Sequence, residues 1–115
     1  MTELAHKKCE PCEGKTKSFD RDQAKDYLKD VSGWRLTEDA RGIYREYVTK
    51  NFMAAIKFID KVAAIAESEN HHPDIHLTGY RRLRIDLSTH AINGLSENDF
   101  IMAAKINGLP VELKG

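Results

Sequence analysis

The spacing of apolar and polar positions predicts helices that begin at recognisable capping residues. Asp20 and Gln23 match a capping box, in which the cap and the third helical residue exchange side-chain-to-backbone hydrogen bonds. Ser96 and Asp99 repeat this pattern near the end of the chain. After the first cap, apolar residues follow at helical spacing, at Ala24, Tyr27, Leu28 and Val31. The two boxes therefore predict a first helix from about residue 20 and a last helix from residue 96.

A longer helix is predicted between these two. Asn51 is a favourable N-cap, Asn70 can adopt the left-handed conformation that ends a helix, and Pro73 prevents continuation. The apolar residues between them step by three and four positions, which predicts one buried stripe. This stripe consists of Phe52, Ile56, Ile59, Ala63 and Ala66.

Four strands are predicted between the helices. Residues 34–37 and 43–49 are separated by a short turn, and the second stretch is rich in β-branched and aromatic residues. Residues 74–80 and 83–89 predict a hairpin with its turn near residues 81–82. In the last stretch, apolar and polar residues alternate, as expected of a strand with one buried face.

The predicted order is α-β-β-α-β-β-α. Strands joined by short connections pair antiparallel. The simplest solution is an α+β fold in which three helices pack on one face of a four-stranded antiparallel sheet. Residues 18–115 would form this single domain, and residues 1–17, which are rich in lysine and lack a sustained period, would form a flexible tail.

Composition narrows the classes of function. The 115 residues include 18 basic and 18 acidic side chains, so the basic surplus typical of nucleic-acid-binding proteins is missing. The longest apolar run covers only residues 62–66, far short of the ~20 residues needed to cross a bilayer. No apolar stretch follows the first residues, so no signal peptide is predicted. We therefore expect a cytoplasmic protein that binds neither nucleic acid nor membranes directly.

The histidines are the main chemical anomaly. Four of the five fall between residues 71 and 90. His71 and His72 follow the long helix, Glu67 lies one turn before His71 and can hold it, and His90 follows the last strand. If the strand end lies beside the helix end, these imidazoles meet in one cleft. Converging imidazoles suit general acid/base catalysis, although a single histidine at a helix end is usually a cap or a surface residue.

Metal binding competes for the same side chains. His72 and His76 have the spacing of a zinc-binding helix, but Pro73 between them breaks that geometry. Cys9 and Cys12 form a single CxxC in the tail, whereas a structural zinc site needs four ligands. We therefore expect no metal site and a tail without a catalytic role.

Seven residues stand in a distinctive order and spacing: Glu67, His71, His72, Pro73, Tyr80, His90 and Asp99. This pattern resembles the signature of the pterin-4a-carbinolamine dehydratases, which are also known as dimerisation cofactors of a hepatocyte homeodomain transcription factor. The resemblance extends over about residues 18 to 110 and leaves out the cysteine-bearing tail.

The resemblance implies the same α+β fold and an assembly of two or four copies. It also implies an activity, the removal of water from 4a-hydroxytetrahydrobiopterin to give quinonoid dihydropterin. This reaction recycles the cofactor of aromatic amino acid hydroxylases and uses no metal or organic cofactor.

The resemblance also implies roles for individual residues. His71 and His90 would be the acid/base pair, and His72 would mainly bind the pterin. Further pterin contacts would come from Asn70, Ser88 and Thr89, where Asn70 replaces an acidic residue common in the family.

Four other residues would support the site. Glu67 would hold His71, and Pro73 would be scaffold. Trp34 would either line the pocket or belong to the core. Asp99 has two interpretations, a motif residue near the site or simply a member of the capping box.

Two other classes of function stay open. One is a non-enzymatic partner protein that uses a helical face for dimerisation or transcriptional coactivation. The other is a pterin-binding protein of a different pterin pathway. Retention of all three histidines favours the enzyme, because an adaptor has no need of an acid/base group.

Overall fold

The computed structural model describes residues 3–10 and 17–115. The element bounds are β1 (Arg35–Leu36), β2 (Ile43–Val48), β3 (Asp74–Thr78) and β4 (Arg82–Leu87), with helices α1 (Arg21–Leu28), α2 (Phe52–Glu69) and α3 (Glu97–Asn107). Short 3₁₀ turns occupy Glu3–His6 and His90–Ile92. The order of helices and strands and the α+β class agree with the sequence prediction.

The sheet has the strand order β1-β2-β4-β3, and every neighbouring pair is antiparallel. The alternation predicted for the last strand is confirmed, since Leu83, Ile85 and Leu87 are all buried. The hairpin turn lies earlier than predicted. Thr78 pairs with Arg82, and Gly79 and Tyr80 have φ angles of 53° and 57°. The turn therefore occupies residues 79–81, between the paired residues. Gly79 suits this position because glycine enters the left-handed region without a steric penalty.

The predicted helix starts are confirmed. Asp20 and Gln23 exchange both hydrogen bonds of a capping box, and Ser96 and Asp99 do the same. The side chain of Asn51 accepts from the amide of Ala54. Such caps satisfy backbone amides that have no partner inside the helix.

The buried face of α2 differs from the prediction. Phe52 and Ile56 are 47% and 38% exposed, and Ala66 is the only buried residue of the predicted stripe. The buried residues are Ala54, Ala55, Phe58, Val62 and Ala66. The helix has apolar residues on two faces, and the sequence pattern favoured the one with larger side chains near its start. The structure instead packs Phe58 against Tyr47 of β2, with ring centroids 5.0 Å apart.

The described residues 3–10, here called the N-terminal segment, pack against the domain. Leu4 is 6% exposed within the core, and Lys105 Nζ donates to the carbonyl of Ala5 at 2.9 Å. For residues 3–10 this packing differs from the prediction of a flexible tail, whereas residues 11–16 of that predicted tail lie outside the described residues. The sequence offers no periodic signal here because the segment is held mainly by individual hydrogen bonds and one apolar side chain.

Across the described ranges, the helices lack the combination of length and apolar character that a bilayer-spanning segment needs.

Candidate active site

The end of α2 and the end of β4 lie side by side. Asn70 ends α2 in the left-handed conformation (φ 52°, ψ 42°), and the amides of Asn70 and His71 both donate to the carbonyl of Ala66. The chain then enters β3, whose first residue, Asp74, pairs with Asp86 near the end of β4. This register brings the residues that precede β3 next to those that follow β4.

A cavity of about 520 Å³ opens where these segments meet. It contains all three predicted catalytic histidines and the predicted pterin-binding residues. Its lining residues are Cys9, Glu10, Glu69, Asn70, His71, His72, Pro73, Asp74, Ser88, Thr89, His90, Ala91 and Asn98. A cavity of this size is in the range of small-molecule sites. The three histidines that the sequence singled out therefore line the same cavity.

His71 is held by a buried carboxylate. Its Nε2 lies 2.7 Å from Asp99 Oδ1, the His71 side chain is 12% exposed, and Asp99 is fully buried. A proton on Nε2 donates to this carboxylate, which leaves the lone pair on Nδ1. The network thus fixes the ring and selects the nitrogen that can accept a proton.

Asp99 also caps α3. Its Oδ2 accepts from Thr89 Oγ1 at 2.8 Å and from the Ser96 amide at 3.0 Å. The hydroxyl oxygens of Thr89 and Ser96 lie 2.8 Å apart. Asp99 therefore combines the two interpretations in its contacts, since one carboxyl oxygen faces His71 and the other faces the helix cap.

Glu67 contacts His72 and not His71, which corrects the prediction. The distance from His72 Nε2 to Glu67 Oε2 is 2.5 Å, and the two side chains are 56% and 78% exposed. The prediction failed because it extended helical spacing past the end of the helix. Asn70 leaves the helical path, so the residue one turn after Glu67 no longer lies above it.

His90 completes the trio from a different element. It begins the 3₁₀ turn His90–Ile92 after β4, is exposed, and lines the cavity. Within the described ranges its imidazole makes no hydrogen bond, which leaves both ring nitrogens available to a ligand.

Trp34 lies outside the cavity, so its predicted supporting role there is wrong. It is 5% exposed in the core, and its Nε1 donates to Asn107 Oδ1 at 3.0 Å. This is the second of the two interpretations that the sequence left open for it.

The sequence missed the part of the cavity wall that comes from the N-terminal segment, the last residue of α2 and the first turn of α3. Cys9, Glu10, Glu69 and Asn98 all line the cavity. Burial, followed by the charge of Glu69, raises the pKa of the Cys9 thiol to about 12, so the thiol is neutral at ordinary pH. The contacts of Cys9 and Glu10 with Asn98 join residues about ninety positions apart in the chain, and no local pattern signals them.

Within residues 3–10 and 17–115, no three or more His, Cys, Asp or Glu side chains lie together in a way that could hold a metal ion. Cys12, the second residue of the CxxC motif, lies outside the described residues.

Comparison with known proteins identifies this architecture. A family model described as Pterin 4 alpha carbinolamine dehydratase matches residues 17–109. The match includes all three histidines and Asp99 and excludes the N-terminal segment.

Relatives extend the similarity over almost the whole chain. The mitochondrial pterin-4-alpha-carbinolamine dehydratase 2 of Arabidopsis thaliana is 46% identical over 97% of this chain, which spans 62% of that longer protein. A protein of Halorhodospira halophila, provisionally named as the same enzyme, is 47% identical over 92% of this chain and 96% of its own length. A similarly named protein of Legionella pneumophila is 44% identical over 96% of this chain and 98% of its own length.

A solved structure supports the same conclusion. The crystal structure of a transcriptional coactivator/pterin dehydratase from Brucella melitensis aligns with a TM-score of 0.73 and 31% identity, covering 78% of this chain and 95% of that one. With its fold, its cavity and its relatives in agreement, this chain belongs to the pterin 4 alpha carbinolamine dehydratase family.

Proposed function

We propose that this chain removes water from 4a-hydroxytetrahydrobiopterin, the pterin-4a-carbinolamine, to give quinonoid dihydropterin. The observation that carries the proposal is the cavity in which His71, His72 and His90 meet, with Asp99 behind His71. The relatives are named as dehydratases of pterin-4-alpha-carbinolamine, the Halorhodospira protein provisionally.

The chemistry requires one acid and one base on a flat bicyclic substrate. The lone pair of N5 forms a double bond to C4a while the C4a hydroxyl leaves, after an acid protonates it to water. A base then takes the N5 proton. The acid is now deprotonated and the base is protonated, and one proton exchange with solvent restores both groups. The substrate supplies its own electron pair, and positioned acid and base groups each contribute about 10²–10⁴-fold.

His71 and His90 are proposed as the acid/base pair. Asp99 orients His71 through its contact with Nε2, while His90 lines the cavity just after the end of β4. His72 is proposed mainly as a pterin-binding residue, because its exposed ring has an equally exposed partner in Glu67.

Three further residues are proposed around the substrate. Asn70 and Ser88 line the cavity and offer polar groups to the pterin. Thr89 is proposed to act indirectly, since its hydroxyl is already bonded to Asp99 and Ser96. Pro73 directs the chain from α2 into β3 and is proposed as scaffold.

The product can feed the recycling of tetrahydrobiopterin, which is the physiological role that we propose. A cytoplasmic location stays a prediction, and the Arabidopsis relative is named as mitochondrial. Cell fractionation would test it.

The test is stopped-flow dehydration of freshly generated 4a-hydroxytetrahydropterin. His71→Ala and His90→Ala should each lower turnover at least about tenfold with the fold intact, because each removes one proton-transfer group. His76→Ala is the matched control, since His76 is exposed on β3 and does not line the cavity. Full activity in the double variant His71→Ala/His90→Ala would refute the assignment.

A second candidate function is self-association linked to partner binding. The Brucella protein is named as a transcriptional coactivator as well as a pterin dehydratase. In this chain, Phe52, Met53 and Ile56 at the start of α2 are 47%, 56% and 38% exposed. We propose that these side chains contribute to a homodimer or homotetramer. Light scattering of Phe52→Ser/Met53→Ser should then show a smaller assembly that retains dehydratase activity, and an unchanged mass would exclude this surface.

A further inference from the structure

The N-terminal segment supplies one part of the cavity wall. Cys9 and Glu10 lie there together with the three histidines. The Cys9 amide donates to Glu69 Oε1 at 2.8 Å, and Leu4 anchors the start of the segment in the core. Residues outside the matched family region therefore reach the site where the proposed reaction occurs.

The side chain of Asn98 holds the backbone of Glu10 through two hydrogen bonds. The Glu10 amide donates to Asn98 Oδ1 at 2.9 Å, and Asn98 Nδ2 donates back to the Glu10 carbonyl at 2.5 Å. Asn98 is 6% exposed and directly precedes Asp99. The first turn of α3 thus positions both His71 and the backbone of Glu10.

Among the described residues, three carboxylates line this cavity, and they differ in their hydrogen bonds and exposure. Glu69 accepts from the Cys9 amide and lies 4.0 Å from Lys105 Nζ. Asp74 lies on the exposed side of β3, in the same alternation as His76 and Thr78. The Glu10 carboxylate makes no hydrogen bond to any described residue, although its backbone is held at both polar atoms.

A reduced pterin carries a matching edge. Its 2-amino group and the adjacent N3–H point in nearly the same direction, as two parallel donors. A carboxylate accepts such a pair with both oxygens, in the same manner in which it accepts a guanidinium. The neutral thiol of Cys9 adds a polarizable surface suited to the face or edge of a flat ring.

We propose that Glu10 is a specificity-determining residue, whose carboxylate accepts hydrogen bonds from the 2-amino and N3–H groups of the pterin. This inference rests on the proposed function. The N-terminal segment would then select 2-amino-4-oxopteridines and place C4a and N5 between His71 and His90.

The test combines kinetics with binding of 7,8-dihydrobiopterin, a pterin without the leaving hydroxyl, by titration calorimetry on the full chain. Glu10→Ala should raise both KM and the dissociation constant about tenfold and change kcat less than about twofold, which corresponds to about 1.4 kcal/mol of lost binding. Glu10→Gln should give an intermediate loss. Glu112→Gln is the matched control, because Glu112 is exposed and does not line the cavity.

Asn98→Ala tests whether the backbone contacts position Glu10. The effects of Asn98→Ala and Glu10→Ala on binding should be clearly non-additive in the double variant, as expected of groups that act as a unit. Circular dichroism melts would separate this from a general loss of folding.

Binding and KM of Glu10→Ala within about twofold of wild type, or a loss in Asp74→Asn instead, would overturn the inference and leave the dehydratase proposal standing. Conversely, a wild-type chain that binds dihydrobiopterin through Glu10 but does not dehydrate the carbinolamine would overturn the proposed reaction alone.

Discussion

His71 and His72 are consecutive in the chain, yet they occupy two different kinds of environment. His71 is 12% exposed and bonded to a fully buried aspartate that has two further hydrogen-bond donors. His72 and its partner Glu67 are both mostly exposed. Buried networks are strengthened by the low local dielectric, whereas exposed ion pairs contribute about 0–1 kcal/mol and are screened by salt.

This difference suggests two roles: the ring of His71 is positioned in advance, whereas the ring of His72 serves to contact the ligand. The ring of His71 has a fixed orientation and a defined tautomer before any ligand arrives, as proton transfer requires. The ring of His72 can adjust to the ligand, which suits a binding residue. Removing the carboxylate partner of each histidine should therefore have very different effects.

The largest effect is expected for Asp99→Asn. The amide is close in shape to the carboxylate and can still accept from the Ser96 amide, but it then presents an NH₂ group instead of a carboxylate oxygen to His71 Nε2. We expect kcat to fall about 100-fold, at the lower end of the range for a proton-transfer group, and the free energy of unfolding to fall by about 1–3 kcal/mol.

Stopped-flow kinetics and urea unfolding of the same preparations would measure both losses. Equal kcat values for folded Asp99→Asn and wild type would mean that His71 functions without its buried partner. The buried environment of His71 would then have no greater importance for catalysis than the exposed environment of His72.

An intermediate effect is expected for Thr89→Val. The change keeps the shape but removes the hydroxyl that donates to Asp99. The free energy of unfolding should fall by about 1–2 kcal/mol, and kcat should fall severalfold because Asp99 is less firmly held.

Thr78→Val is the control for Thr89→Val, since Thr78 is an exposed strand residue for which valine is equally suitable. A similar loss of kcat in both variants would show that the hydrogen bond to Asp99 has no special importance.

The smallest effect is expected for Glu67→Gln. Because the pair with His72 is exposed, kcat should be unchanged and KM should change less than about threefold. At about 1 M salt, where the Debye length is about 3 Å, the KM values of variant and wild type should converge. A loss of kcat comparable to that of Asp99→Asn would instead restore the original prediction that Glu67 supports His71.

Local sequence rules predicted the elements of this fold because caps act over three or four residues. Asp20, Asn51 and Ser96 begin helices as expected. The same rules misjudged α2, where two apolar faces were available and only packing against β2 selects between them. They also paired Glu67 with His71, since the true partner lies 28 residues away and is brought near only by the tertiary fold.

The candidate site was predictable to a similar degree. The clustering of histidines located the cavity, and the spacing of the motif residues identified the family. The contribution of Cys9, Glu10 and Asn98 was not predictable, because its contacts link the two ends of the chain and depend on single hydrogen bonds. From the sequence alone, Trp34 could either belong to the core or line the pocket. Its burial and its hydrogen bond to Asn107 place it in the core.

The dual use of Asp99 has a consequence for anyone who engineers this protein. One carboxyl group serves the start of α3 and the orientation of His71, so a library sorted only for heat resistance would retain this residue without any assay of turnover. Conversely, attempts to retune the imidazole by changing Asp99 would loosen the helix start at the same time. Useful variation is therefore more accessible at the exposed Glu67 and His72 than at the centre of the network.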